Sequence, residues 1–167
     1  NGEVVDGFDF GNSPFSYTED KVSGKTVVLT TTNGTHAINM SRGAHKIVIG
    51  SFLNLASLCD WLKTQPHDVL LLCSGWKDKV NLEDTLFAGG VVHYLREENY
   101  SLDDAGIASE DLYILAKDDL NTYLKKTSHS ERLKKLGIEE DIKFCLNLNI
   151  TKGIPVLDGE RLVKMLI

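Results

Sequence analysis

A run of Thr30, Thr31, Thr32, Asn33, Gly34 and Thr35 follows directly on the apolar stretch 25–29. Hydroxyls, an amide and a glycine at the end of a strand-like segment offer hydrogen bonds to a small anion. In open α/β sheets, ligands bind just beyond the carboxyl ends of strands. Gly34 lets backbone N–H groups turn inward while the threonine hydroxyls donate at close range. The same residues also fit a hairpin, because Asn-Gly between strand-like runs is the strongest short hairpin signal. Polar strand ends recur at Gly50-Ser51-Phe52-Leu53-Asn54 and at Cys73-Ser74-Gly75. Ser51 stands where a strand hands over to a helix, which makes it an N-cap, an anion donor, or both. Three such ends in one short chain point to an active site rather than a scaffold.

The segment from Ser74 to Thr85 is the richest chemically. With Asn81 as N-cap, Glu83 and Asp84 fall in a first helical turn, where the helix dipole favours carboxylates. Adjacent carboxylates beside an anion site are also hard-oxygen ligands suited to Mg²⁺, which commonly takes one or two carboxylates plus substrate phosphate. Ala88-Gly89-Gly90 lies further along the same helix. Each interior glycine costs about 1 kcal/mol relative to alanine, so the pair implies close backbone packing. Asp103 and Asp104 precede a helical run and fit capping. The five histidines lack metal-ligand spacing, and Lys125-Lys126 and Lys134-Lys135 fit solvated helix faces. No cysteine has an arginine six residues on, and neither a DxDx[TV] run nor a GxxxxGK[ST] loop occurs.

The elements that must position these residues alternate. After a loop-rich opening to Gly24 with one short strand, the pattern predicts strands at 25–31, 46–49 and 68–73. Helices are expected at 35–42, 51–64 and 82–97. Strand runs apolar on both faces, separated by helices, predict a largely parallel sheet covered by helices. Helical pattern then dominates from 102 to 136, with Gly137 as the stop. A tail carries Phe144-Cys145-Leu146 and a hairpin over 154–163, turning at Asp158-Gly159.

The 167 residues suffice for one core, so a single domain over 1–167 is the expectation. A net charge of -6 offers no basic stripe for nucleic acid and would repel an anionic substrate except where local donors or a cation intervene. Cys59, Cys73 and Cys145 are odd in number, lack CxxC spacing and sit in apolar runs, as reduced core thiols of a cytoplasmic protein do. Neither a secretory leader pattern nor an apolar run near 18 residues occurs, so no membrane role is expected. The sequons at Asn33, Asn39, Asn99 and Asn149 are then chance matches.

Taken in order, four stretches resemble the 2-phosphosulfolactate phosphatase family. They are Gly7 to Pro14 (GFDFGNSP), Gly24 to Thr35 (GKTVVLTTTNGT), Gly50 to Asn54 (GSFLN) and Leu82 to Gly89 (LEDTLFAG), with a weaker echo at Asp104-Ala105 and from Gly137 to Cys145. The resemblance implies a three-layer α/β/α fold with a mixed sheet, a homodimer, and a Mg²⁺-dependent phosphatase. Its substrate would be 2-phospho-3-sulfolactate, as in coenzyme M biosynthesis, or a related 2-phospho acid. Family members carry an N-terminal segment with an Asp and an Arg-Ala-Thr-like motif. This sequence lacks that segment, so it is expected to be the larger, C-terminal part of a longer chain.

On that basis Asn12, Ser13, Thr32, Asn33, Gly34, Thr35, Ser51, Asn54, Ser74 and Gly75 are expected to bind substrate. Glu83 and Asp84 are expected to hold Mg²⁺ and act in catalysis, and Ser13 and Thr35 are the candidate nucleophiles. The competing expectation is a catalytically silent domain that binds a small phosphorylated or sulfonated acid. An interaction module built on 102–136 ranks behind both.

Overall fold

The computed structural model describes residues 4, 6–98, 100–127, 137 and 139–165. Among these residues the helices are α1 (Glu19–Val22), α2 (Asn33–Met40), α3 (Leu55–Leu62), α4 (Leu82–Leu95), α5 (Asp104–Ala116), α6 (Leu120–Leu124) and α7 (Glu139–Cys145), with 3-10 turns at Pro14–Ser16, Phe52–Asn54 and Arg96–Glu98. The fold is thus mixed helix and strand. Among the described residues no helix is long and apolar enough to cross a membrane.

Helix α4 is the centre. It is apolar nearly all round, and a helix of that kind is buried. Leu86, Ala88, Val91, Val92 and Leu95 are all buried. It packs on α5 along most of its length and on α3 beside it. Asn81 caps it, its side chain accepting from the Glu83 N–H at 2.9 Å. The Gly89-Gly90 pair answers to backbone proximity as expected. A Cβ on Gly89 would fall inside contact distance of the Ser109 carbonyl of α5 and lie 2.9 Å from Tyr113 Cβ. Leu55, Leu58, Cys59 and Leu62 of α3 complete this core with Tyr113, Leu120, Leu124 and Ile154.

The strands are β1 (Pro155–Asp158) and β2 (Arg161–Lys164), an antiparallel pair in register Val156↔Val163 and Asp158↔Arg161. The hairpin predicted for the tail is therefore present. Its loop residues are Gly159 and Glu160, one position beyond the Asp-Gly pair, and Gly159 supplies the positive φ of +57° that a two-residue turn needs. The predicted strand at 46–49 lies antiparallel against β1 through a single bridge, Val48↔Val156. The Ile49 N–H donates to Pro155 O, and the Leu157 N–H donates to Ile47 O, each at 2.9 Å.

Segments 25–31 and 68–73 form no strand among the described residues. At 68–73 the side chains still alternate. Val69 and Leu71 pack on the core, whereas Leu70 is 85% and Leu72 45% exposed. Val28 is likewise 83% exposed. A strand apolar on both faces needs backbone partners at its edges and a layer on each side; at 68–73 one side alone is covered, and at 25–29 Val27, Val28 and Leu29 are all exposed. Two of the three cysteines depart from expectation, Cys73 at the end of 68–73 and Cys145 at the end of α7. Cys59 is buried in α3, but Cys73 and Cys145 are exposed, and all three are free thiols.

The helical stretch expected over 102–136 is divided. Asp103 caps α5, its carboxylate accepting from the Gly106 N–H at 2.7 Å, and Asp119 caps α6 through Thr122 N–H at 2.9 Å. Residues 128–136 lie outside the described ones. Gly137 adopts φ +69°, a left-handed conformation that glycine takes readily. Helices α1 and α7 were not anticipated. The opening segment docks on α7, where Phe15 meets Phe144 edge to face at 5.2 Å between ring centroids.

Candidate functional site

The turn leaving Cys73 and the start of α4 are held together by Asp84. Its Oδ2 accepts from the Gly75 N–H at 2.7 Å and from the Ser74 hydroxyl at 3.2 Å. These charge-assisted bonds fix the turn against the helix N-terminus. Just beyond, Trp76 and Lys79 exchange backbone hydrogen bonds at 3.0 and 3.1 Å. Lys77 and Asp78 between them both adopt positive φ, 52° and 58°. Consecutive left-handed non-glycine residues are strained, and such strain concentrates at functional loops. Beside Asp84, the Cys73 thiol is pushed above its ordinary value, first by desolvation and then by that carboxylate. It stays protonated at neutral pH, which fits a site without a cysteine nucleophile.

Glu83 differs from its neighbour. Its Oε2 is buried, with no hydrogen-bond partner among the described residues. Buried polar atoms are nearly always satisfied, and leaving one unpaired costs about 1–3 kcal/mol, so the atom asks for a ligand. It borders a cavity of about 320 Å³ that Asn121, Lys125, Glu139 and Lys143 also line. Among the described residues no group of three or more His, Cys, Asp or Glu is placed to hold a metal. Two carboxylates with one unpaired oxygen still fit Mg²⁺, which needs only one or two from the protein; they do not fit a tetrahedral nitrogen and sulfur site. Of that pair Glu83 has the buried unpaired oxygen, whereas Asp84 has Oδ2 committed to the turn.

The Ser13 hydroxyl donates to Asp141 Oδ1 of α7 at 3.0 Å. Glu139, Ile142 and Lys143 of that helix line the Glu83 cavity, so Ser13 and Glu83 meet α7 at different residues. Asn12 beside Ser13 is exposed.

The Thr30–Thr35 run resolves as a helix start rather than a hairpin. Asn33 and Gly34 open α2, and the Thr35 N–H donates to Thr31 Oγ1 at 3.0 Å, with the two threonine hydroxyls 3.2 Å apart. Thr32 and Thr35 are exposed at this end. No hydrogen bond among the described residues joins it to the Asp84 turn.

Asn54 is a clamp. It is 3% exposed; its Oδ1 accepts from the Ser51 N–H at 2.9 Å, and its Nδ2 donates to Ile49 O at 3.2 Å and Gly153 O at 3.0 Å. No N–H is left to offer a substrate, and its role is to tie the 46–49 segment to the residues before β1. Asn54→Ala leaves three partly buried backbone groups without this partner, so it should destabilise the fold by about 2–3 kcal/mol, read as a lowered urea midpoint. Ser51 takes an extended conformation before the turn into α3. Asn149, one of the sequons, accepts from the Ala56 N–H at 2.7 Å and so also serves the fold.

Sequence reasoning missed α7 and the lysines that face Glu83. Their only signal is the spacing of Glu139, Ile142 and Lys143 on one helical face.

An unpaired carboxylate facing lysines suits a protein that handles small polyanions, and comparison with known proteins places the chain in a family of phosphoric monoester hydrolases. A family model described as 2-phosphosulpholactate phosphatase matches residues 1–160. A probable 2-phosphosulfolactate phosphatase of Thermotoga petrophila is 41% identical over 157 residues, covering 94% of this chain and 67% of the relative. The protein of that name from Thermotoga maritima is 40% identical over 157 residues, with the same coverage. The one from Synechocystis is 37% identical over 158 residues, covering 92% and 66%. The chain belongs to the 2-phosphosulfolactate phosphatase family. It spans about two thirds of the length of these curated relatives.

Proposed function

We propose that the chain carries the phosphatase chemistry of its family: hydrolysis of 2-phospho-3-sulfolactate, or a related 2-phospho acid, to the 2-hydroxy acid and phosphate. Water adds to phosphorus, the bond from phosphorus to the substrate oxygen breaks, and that oxygen leaves with a proton. The observation that carries this reading is the buried, unpartnered Oε2 of Glu83 beside a cavity that Lys125, Lys143 and Glu139 also line.

Glu83, with the remaining oxygen of Asp84, would hold Mg²⁺. When bound, the ion would supply charge neutralisation and a more acidic water. The rest falls to the chain's own residues. The turn at Ser74 and Gly75 has its hydroxyl and N–H engaged by Asp84, so it would position that carboxylate and the substrate would displace those bonds to use its donors. The α2 start at Thr32, Asn33, Gly34 and Thr35 and the Ser51 turn add donors for oxyanions, and Asn12 and Ser13 close the side next to α7. Ser13 and Thr35 are the hydroxyls to test for a covalent intermediate.

The same reading gives the complete protein a three-layer α/β/α arrangement around a largely parallel mixed sheet. Support comes from the inward alternation of Val69 and Leu71. It further makes the protein a cytoplasmic homodimer acting on a small anion; the net charge of -6 speaks against nucleic acid.

Phosphate release from 2-phosphosulfolactate, with Mg²⁺ and with EDTA, tests it. Metal-dependent release is expected. Release that persists in EDTA removes Mg²⁺ from the reading, and no release under any condition removes the substrate.

A further inference from the structure

We propose that segment 68–73 is a strand of a sheet completed from outside these residues, and that its partner is a strand-and-helix unit from the third of the relatives' length that this chain does not span. This goes beyond the phosphatase reading and does not depend on which ester is cleaved.

Residues 69–72 read Val-Leu-Leu-Leu, and their side chains part to opposite sides with the period of an extended strand. Val69 and Leu71 pack on the core, while Leu70 and Leu72 are exposed. Among the described residues, 68–73 makes no backbone–backbone hydrogen bond. Strands form by exchanging such bonds with a neighbour, so both edges of this one are bare. Segment 26–30 shares the condition, with Val27, Val28 and Leu29 exposed and no backbone–backbone hydrogen bond among the described residues. Residues 47–49, equally apolar, are paired with β1 through Ile47 and Ile49. What separates the three segments is the presence of a neighbour.

A bare edge beside exposed apolar side chains takes up an added strand, the main chain giving affinity and alternate side chains specificity. Where strands are apolar on both faces, helices cover the sheet on each side. The added strand therefore takes the edge, and its helix takes the face of Leu70 and Leu72. Residues 128–136 do not qualify, since four of these nine are charged. The relatives have the length. The 157 matched residues are 67% of the Thermotoga petrophila protein, so its unmatched third is about half as long as the match. A strand–helix–strand unit takes roughly 30 residues. Segment 68–73 runs into the Ser74–Gly75 turn that Asp84 holds, so the same unit steadies the approach to the candidate site.

The test joins this chain, in the relative's own order, to the unmatched residues of the Thermotoga petrophila protein. Amide hydrogen exchange is read at 69–73, with the α5 amides as reference, and the chain alone is measured at several concentrations. Joining should slow exchange at 69–73 about a hundred-fold, far more than at α5. Leu70→Asp together with Leu72→Asp should restore fast exchange in the joined chain without changing the melt of the chain alone, where both side chains are exposed. Amides that stay fast in the joined chain overturn the proposal, and so does protection that survives the double substitution. Protection in the chain alone that rises with concentration assigns the edge to a second copy and overturns it too. Phosphate release enters none of these readings, so the proposal and the phosphatase reading fail separately.

Discussion

Glu83→Gln should lower kcat/KM for phosphate release by about a thousand-fold, or about 4 kcal/mol of transition-state stabilisation, while the protein stays folded. The two halves of that expectation come from one atom. Oε2 is buried and unpartnered, so the carboxylate contributes little to stability and its charge is costly to keep out of water. Removing the charge relieves that cost and gives up a favourable helix-dipole contact of about 0.5 kcal/mol, so the melting temperature should move by only a few degrees. Function lost at constant stability marks a residue kept for chemistry. Asp84→Asn provides the contrast. It weakens the charge-assisted bonds to Gly75 and Ser74, so stability should fall by about 1–2 kcal/mol together with activity. Turnover that survives both substitutions would remove the carboxylates from the mechanism. If Glu83→Gln alters affinity alone, the chain is a binding domain.

Gly89→Ala should destabilise the fold by about 3 kcal/mol or more, enough to unfold much of a marginally stable domain, and a urea titration measures it. The added methyl would press on the Ser109 carbonyl and the Tyr113 Cβ of α5. Backbone cannot rotate away as a side-chain tip can, so α5 must shift and with it the core that α4 and α5 share. The helix-propensity gain of about 1 kcal/mol offsets only part of this. Gly90→Ala separates packing from propensity. Its Cβ would meet Tyr113 Cε2 at 3.2 Å and Leu55 Cδ2 at 3.3 Å, the far ends of flexible side chains, so its effect should stay within about 1 kcal/mol. Equal costs at the two positions would contradict the backbone contact at Gly89.

Much of this was legible residue by residue. Asn81 and Asp103 carry helix-capping signals and cap α4 and α5. The glycine pair implied a close approach, and the partner proved to be α5. Less was legible at the site. Asn54 and Glu83 are both polar residues at helix starts, yet one has its N–H groups engaged and the other has a bare oxygen. Sequence types do not separate them, since what decides lies far along the chain: Gly153 bonds Asn54, and α7 lines the cavity beside Glu83. The strand pattern at 25–31 and 68–73 was read from composition, but ladder formation depends on a neighbouring backbone that composition does not supply.

The sequence by itself determined the local features: helix starts and stops, the tail hairpin, the apolar character of α4, and, through four ordered motifs, the family. These follow from interactions within a few residues, where side-chain type and spacing settle the outcome. Only the tertiary structure decided which of two adjacent carboxylates is free, that Lys125 and Lys143 face it, and that the opening segment lies on α7 through Ser13 and Phe15. Those facts depend on contacts between distant segments, which burial and chain geometry set and no local pattern encodes.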